Sequence, residues 1–570
     1  MFSLARRGDR RGADNMKQET RSLLAVGLSV VVFLIWYGFF APKQPLKPES
    51  DVPAATAQQP SAPSEATTPS SGNVTSAAQP ATAMPGAVNI HDPQGEIPLK
   101  RSIIESDIYR IEFTNDGGVP VSWEMKNFKK NVGKEAVPVN LVTDKVTPLL
   151  EKFSLGGIPA RPRYNVIKES ADKIVYSWRG KEVAITKTYQ FDPRGYMAEV
   201  SVAIRNMGQN PIESSLTNEW SMVVPKEEEK GFLGFLKGPS NVFNFIYYLD
   251  GKVSKDPVAE MDGHLIWAGL EDRYFLSAIV PRGHGETAKT SSIKRANEDG
   301  TSFLSTTVTV PKQTIVGSGE VVQKYSIYAG PKEMNCLKFA GASLDKSIDY
   351  GWFGFIAVPI LYLLKFFYGI IHNYGVAIII LTVFAKLLMH PLSRHSMKSM
   401  KAMQNLQPKM KELREKYKDN KERLNVETMA LFKANKVNPM GGCLPMLIQL
   451  PIYIALYKVL WNSIELYRAP FFWFYKDLSM PDPYFIMPVV LGFAMWLQQK
   501  LTPSASADPT QAKMMQIMPI MFTAFMLFLP SGLVLYILVN TGMGVAQQWM
   551  MNNDIRLRDL IRGRVKKVTA

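Results

Sequence analysis

The chain has 570 residues, 46% hydrophobic and 20% charged, with a formal net charge of +16. That mix matches neither an average soluble protein nor a bare bundle of membrane helices, so soluble and membrane blocks are expected side by side. Its basic residues gather beside apolar runs, where the positive-inside rule accounts for them without nucleic acid; Cys336 and Cys443 fall in different blocks, and no phosphate loop or His-Glu-x-x-His pair occurs, which excludes a disulfide framework, a nucleotide motor and a zinc hydrolase.

Residues 1–21 carry Arg6, Arg7, Arg10, Arg11, Lys17 and Arg21 ahead of an apolar run at 22–41 that ends in Trp36, Tyr37, Phe39 and Phe40. A basic flank before the run and aromatic residues after it predict a first transmembrane span with a cytoplasmic N-terminus. The run exceeds the 7–15-residue core of a signal peptide, roughly, and Phe39-Phe40-Ala41-Pro42 is a poor cleavage site, so it reads as an uncleaved anchor. Nothing before Met16 has a structural pattern, which makes Met16 a second candidate start. Residues 42–95 are Pro, Ala, Ser, Thr and Gln, too poor in apolar side chains to offset the entropy of ordering, and predict a flexible tether.

From 96 to 335 short alternating runs are separated by turn residues: 109–114 before Asn115-Asp116-Gly117-Gly118, 173–178 before Arg179-Gly180, and 183–190 turning at Asp192-Pro193-Arg194-Gly195 into 197–204. Period-two alternation with such turns predicts a β-sandwich domain, placed by topology on the periplasmic side. Trp220 and Trp267 in this block either line a ligand cleft or belong to its core. Residues 349–373 are apolar and aromatic, interrupted by Pro359 and Lys365. If they spanned, the basic stretch further on would end up outside, so an interfacial amphipathic helix is expected.

The second span, 374–393, opens with YGVAIIILTVFAKLLMHP, in which Lys386 is the ammonium about two-thirds along. A charge at that depth costs about 2.5–3.5 kcal/mol on insertion scales, which marks a functional candidate; the competing reading is a lysine that snorkels to the headgroups. Thr382 lies one turn earlier on the same face, as a wet groove would require. Residues 394–437, rich in Lys, Met, Glu and Leu with a break near Asp419-Asn420, predict a cytoplasmic helical hairpin. Met397, Met400 and Met403 with Lys398 and Lys401 are its candidate client or ribosome contacts, because flexible methionines suit an adaptable surface.

Further spans are expected at 442–462, 483–501, 513–529 and 532–551, joined by a periplasmic loop at 463–482 and a cytoplasmic loop at 502–512, with a basic cytoplasmic tail at 552–570. The expected fold is therefore a polytopic α-helical membrane protein of six spans carrying a periplasmic β-sandwich, both termini in the cytoplasm. Gln449, Gln498, Gln499 and Asn540 sit within spans, as groove lining or as glue between helices.

Several motifs carry a resemblance: Leu344-Asp345-Lys346 with Ile348-Asp349-Tyr350-Gly351-Trp352, Val437-Asn438-Pro439-Met440-Gly441-Gly442-Cys443-Leu444-Pro445, Gln498-Gln499-Lys500, Met518-Pro519, and Pro530-Ser531-Gly532-Leu533-Val534-Leu535-Tyr536. With them the chain resembles the YidC/Oxa/Alb family of membrane protein insertases, in the Gram-negative form with a large periplasmic domain. The resemblance implies an inner-membrane insertase and chaperone, not an enzyme, without cofactor or metal. Its five-helix core would enclose a hydrophilic groove with its basic residue at Lys386 and substrate contacts at Thr382, Gln449 and Tyr536. Many relatives look to have Arg at the position of Lys386, and Tyr-Tyr where Ile537 here follows Tyr536. Implied partners are nascent membrane proteins, the Sec translocon, the ribosome, the signal recognition particle and its receptor, and the lipid bilayer, with no nucleic acid beyond ribosomal RNA.

The alternative is a secondary transporter using Lys386 as an ion or proton site, a class that usually shows internal repeats and paired ionisable groups, neither of which is evident here. Because a tether and an interfacial helix separate the β block from the groove, insertion is expected to be largely independent of that block.

Overall fold

The computed structural model describes residues 97–555 apart from 132–135, 143–148, 156–157, 225–242, 284–286, 419, 436, 438–443, 503–508 and 554. The expected anchor at 22–41, the tether at 42–95, Asn438 to Cys443 of the central motif and the tail from 556 onward lie outside the described residues.

Alternation in sequence becomes alternation in burial. Strand Val183–Phe191 switches between buried and half-buried at every step. It pairs antiparallel with Met197–Asn206, from Val183 opposite Asn206 to Phe191 opposite Ala198. These two strands belong to a nine-stranded sheet that runs, edge to edge, through Lys252–Ser254, Asn244–Leu249, Leu265–Glu271, Phe275–Arg282, Glu320–Pro331, Met197–Asn206, Val183–Phe191, Lys173–Arg179 and Asn165–Glu169. A five-stranded sheet centred on Ser302–Thr309 and a four-stranded sheet centred on Tyr109–Thr114 and Val119–Lys129 form the facing layer. The layers meet through aromatic rings, Phe113 on Tyr189 at 4.9 Å between centroids and Trp123 on Phe191 at 5.9 Å. Trp220 and Trp267 are fully buried, so they belong to this core and do not line a cleft.

One ionic group lies inside the sandwich. Lys187, fully buried, donates to the carbonyls of Gly117 and Gly118, both at 2.9 Å, and to the Glu151 carboxylate, whose other oxygen accepts from the Tyr325 hydroxyl at 2.5 Å. The turn presents two successive carbonyls because Gly117 and Gly118 take φ of +81° and +57°, which side chains rarely allow. Burial pushes the Lys187 ammonium below its ordinary range, and the Glu151 carboxylate opposes that shift. All three sheets contribute a member, so the network pins them to one another.

Helices follow: α1 (Met334–Ala340), α2 (Gly354–Ile371), α3 (Tyr374–Asn405), α4 (Gln407–Lys416), α5 (Lys421–Ala434), α6 (Leu444–Asn462), α7 (Ile486–Leu501), α8 (Pro509–Met526) and α9 (Ser531–Asn552). Among the described residues, α2 and α3 are the helices long and apolar enough to cross a membrane. In α2, Ala357, Leu361 and Leu364 are buried on one side while Phe355, Phe366 and Ile370 are exposed on the other. Its charge, Lys365, is neutralised between Glu333 at 2.9 Å and Glu465 at 2.7 Å.

Helix α3 runs on to Asn405, past the boundary at 393 expected from the apolar run and through Pro391, whose missing N–H gives up one hydrogen bond of the helix. The hairpin reverses between α4 and α5, where the Asn420 side chain accepts from the Arg423 N–H at 3.0 Å. Met403, Leu406, Met410 and Phe432 are its core.

Contacts between the later helices show how they run relative to one another. The N-cap of α3, Asn373, donates to the Phe471 carbonyl in the segment after α6, and Asn462 at the last turn of α6 donates to the Asp349 carbonyl ahead of α2, so the start of α3 and the end of α6 lie at the same end of the helices. Helices α7 and α9 run together, since Asn552 donates to the Leu501 carbonyl at their shared far end, and α8 runs back along α7 with Thr523 against Gly492. Leu388, Val489, Phe493, Ile520 and Met521 are exposed on the outside of this bundle. A soluble surface would not leave so many large apolar side chains in water.

The β domain also touches the end of the bundle directly. Arg273 donates its Nε–H to the Trp461 carbonyl at the end of α6 at 2.8 Å and lies 4.2 Å over the Trp461 ring. The Tyr467 hydroxyl donates to the Lys129 carbonyl at 2.9 Å.

Candidate functional site

Lys386 is half-buried on the inner side of α3. Its ammonium donates to Asn540 Oδ1 on α9 at 3.1 Å, and Asn540 Nδ2 in turn donates to the Tyr453 hydroxyl on α6. The Tyr453 ring meets that of Tyr536 edge-on at 5.7 Å, and Gln449 reaches toward the Tyr536 hydroxyl. Local spacing explains the arrangement: Gln449 and Tyr453 are four apart on α6, and Tyr536 and Asn540 four apart on α9, so each pair shares one helix face. One amide thus meets the ammonium, and a chain of polar contacts through it links three helices. Among the described residues no carboxylate pairs with Lys386, so its charge is solvated by an amide and by whatever enters beside it.

Of the four groove residues expected from sequence, Gln449 reaches Tyr536, which is itself fully buried, and Tyr453 and Asn540 link that pair to Lys386. Thr382 is on the same helix but fully buried, and its hydroxyl turns back to the Ile378 carbonyl at 2.6 Å, as threonine in a helix commonly does. It supports the helix next to the lysine without touching the ammonium. Asn540, counted from sequence as either lining or glue, joins α3 to α6 through Lys386 and Tyr453; Tyr453 was missed, and the signal for it was its four-residue offset from Gln449.

The polar face continues toward the hairpin. His390 Nδ1 is 3.3 Å from Gln547 Nε2, and His390, Ser393, Arg394, Met397 and Gln547 line a cleft between α3 and α9. Because Lys386 meets Asn540 and His390 meets Gln547, α3 and α9 run parallel along this polar seam. Gly544 lets Gln498 of α7 come close: a Cβ there would lie 2.7 Å from Gln498 Nε2, so the glutamine side chain would have to move aside.

Beyond the cleft, Lys398 is exposed and Met400 half-buried, while the Lys401 ammonium donates to the Met551 carbonyl at 3.5 Å. Met403 packs inside the hairpin against Leu406, Met410 and Phe432, which makes it a core residue unavailable to a client or ribosome; its spacing of three residues to Leu406 and seven to Met410 turns it inward with the apolar stripe. Among the described residues no group of His, Cys, Asp or Glu is arranged to hold a metal.

Two family models divide the chain between them, the YidC periplasmic domain over residues 101–363 and the 60Kd inner membrane protein over residues 366–558. The membrane protein insertase YidC of Syntrophus aciditrophicus is 38% identical over 564 residues, covering 94% of this chain and 100% of that protein. That of Geobacter metallireducens is 36% identical, covering 94% of this chain and 99% of its own. A crystal structure of an active YidC insertase superposes with a TM-score of 0.34 at 19% identity, covering 79% of this chain and 93% of that one. The β domain is accordingly the periplasmic domain of an inner-membrane protein. Matched along nearly its whole length at this identity, the chain belongs to the YidC family of membrane protein insertases, which are not enzymes.

Proposed function

We propose that this protein inserts and helps to fold integral membrane proteins by letting the polar end of a client segment enter a hydrated groove around Lys386, alone or together with a Sec translocon. The observation that carries the reading is the Lys386, Asn540 and Tyr453 chain across three helices, inside a bundle whose outside is apolar. A wet path shortened by the groove lowers the cost of moving polar backbone toward the far leaflet, while the client's apolar helix partitions into lipid. Lys386 attracts acidic residues of the crossing tail. No nucleotide is consumed in this scheme.

The reading takes α3, α6, α7, α8 and α9 as five spans and the run at 22–41 as a sixth, with both termini and the hairpin in the cytoplasm. Helix α2 is taken to lie at the outer surface, since the alternation of the later helices leaves it no crossing to make. Exposed Lys398 and half-buried Met397 and Met400 are the hairpin residues left to meet clients, the ribosome, or the signal recognition particle and its receptor. The transporter alternative needs a titrating partner, and among the described residues Lys386 has an amide and no carboxylate.

Site-specific photocrosslinkers at Thr382 and Tyr536, used while a small membrane protein is being synthesised, test the groove. Client adducts at Tyr536 are expected; adducts confined to the outer apolar surface, for example at Val489, would refute it.

A further inference from the structure

The segment between α6 and α7 is far more ordered by polar contacts than a connecting loop requires. Asp477, 9% exposed, accepts from the Arg468 N–H at 3.2 Å, the Ser479 N–H at 2.9 Å and the Ser479 hydroxyl at 2.5 Å on Oδ1, and from Arg468 Nη1 at 2.9 Å on Oδ2. Its own carbonyl accepts from the Ser531 hydroxyl at 3.3 Å. The following residue, Leu478, is fully buried in the cluster that holds Ile378 and Leu533. The Leu478 and Met480 carbonyls accept from the Gly532 and Ser531 N–H groups at 2.9 and 2.8 Å. Those are donors that the first turn of α9 leaves without a partner of its own, so the loop serves as a cap supplied from elsewhere in the chain. On the opposite side Phe471 packs so closely on Gly375 of α3 that a Cβ there would lie 2.0 Å from the ring.

The loop is therefore wedged between the starts of α3 and α9, directly above the polar seam. From Gly532 to Asn540 is eight residues, about 12 Å of helix, against a hydrocarbon core of about 30 Å. A groove that carries water to the level of Asn540 leaves only that thickness of packed side chain before the other face.

We infer that residues 467–482 form a plug that keeps the groove from opening to the periplasm, and that Asp477 is the positioning residue that sets its shape. The inference rests on the groove reading above. By holding both flanks of Leu478, through Arg468 before it and Ser479 after it, Asp477 presents the Leu478 side chain to the bundle and its carbonyl to α9. Without that carboxylate, Arg468 loses its charge partner, the α9 N–H groups lose their fixed acceptors, and water follows the freed groups inward.

The test uses full-length protein in inside-out and right-side-out membrane vesicles, with Cys336 and Cys443 replaced by Ser and Lys386→Cys as the reporter. A membrane-impermeant charged maleimide is the probe. With Asp477 intact the reporter is expected to react from the cytoplasmic side only. Asp477→Ala and Leu478→Ala should each raise the rate from the periplasmic side about tenfold or more, while trypsin resistance of the β domain shows that the chain is folded. Ser479→Ala, which removes one hydroxyl from the carboxylate, should give a smaller rise and keeps the proposal testable should the larger changes prevent folding. If folded variants stay closed to the periplasmic probe, the plug is refuted and the groove stands. If the reporter is silent from the cytoplasmic side as well, the wet groove falls, and the need for a plug falls with it.

Discussion

The sharpest consequence of the groove concerns client charge at Lys386. A carboxylate passing at about 6 Å from the ammonium gains about 2.8 kcal/mol at an effective dielectric of 20, and water in a half-open site cuts this to about 1.4 kcal/mol, a tenfold change in rate. Lys386→Ala should therefore slow insertion of a client with an acidic translocated tail about tenfold, and slow the same client with a neutral tail about twofold or less, because the neutral tail depends on the wet path alone. Lys386→Arg should keep activity, since charge is retained and Asn540 remains as acceptor. Lys386→Glu should be worst: it repels the acidic tail and leaves a carboxylate facing the Asn540 carbonyl oxygen. The assay is signal-independent insertion of paired clients differing only in tail charge, into vesicles with matched amounts of each variant. A lysine that merely snorkels predicts that alanine is neutral or slightly favourable for both clients, because an idle charge has been removed. Equal activity of the alanine variant on the two tails would end the argument for a groove lysine.

Other expectations follow from the same contacts. Tyr453→Phe removes the hydroxyl that fixes the Asn540 amide and should cost about threefold on the acidic-tail client, as expected for a hydrogen bond of roughly 0.5–1.5 kcal/mol, whereas no change in that assay would show the amide needs no anchor. Met403→Asp should unfold the hairpin, read as new protease cuts within 394–437, while Lys398→Ala should leave those cuts unchanged and affect only client or ribosome association. Lys187→Met should strip the buried Glu151 of its partner and destabilise the β domain by about 3–5 kcal/mol, and Lys187→Met with Glu151→Leu should recover much of that in thermal melts; a double variant as unstable as the single one would refute the clamp. Burial and nearby Glu333 push the Cys336 thiol up to about 12, so folded protein should resist alkylation at pH 8, and because this acid's folded value lies above its unfolded one its stabilising contribution is full below about 9 and lost as pH rises toward about 12. Rapid alkylation of Cys336 in the folded chain at pH 8 would contradict that environment.

What was legible in the sequence divides along the range of the interactions involved. The β domain could be read strand by strand, because period-two alternation is local: the run from 183 to 190 is the strand Val183–Phe191 with its buried positions in phase. Which sheets face each other was not, since Phe113 meets Tyr189 and Glu151 meets Lys187 across long sequence separations that no local pattern encodes. Lys386 was found because an ammonium in an apolar run is conspicuous by itself, but its acceptor lies 154 residues away on a parallel helix, and an asparagine in a span reads equally as glue. Met403 misled for the converse reason. Its residue type suggests an adaptable surface, and only the placement of Phe432 on the returning arm of the hairpin turns that face into a core.

The expected independence of insertion from the β domain was argued from the order of segments along the chain, and contacts in space bear on it as well. Arg273 donates to the Trp461 carbonyl near the end of α6, and α6 is the helix that carries Gln449 and Tyr453. Trp461 and Tyr453 are eight residues apart, a little over two turns, so a shift of that helix end is carried to the Tyr453 hydroxyl and on to Asn540. Removing the β domain would therefore expose the Trp461 ring and free the α6 terminus at once, a cost that comes from packing and that the order of segments in the sequence does not reveal.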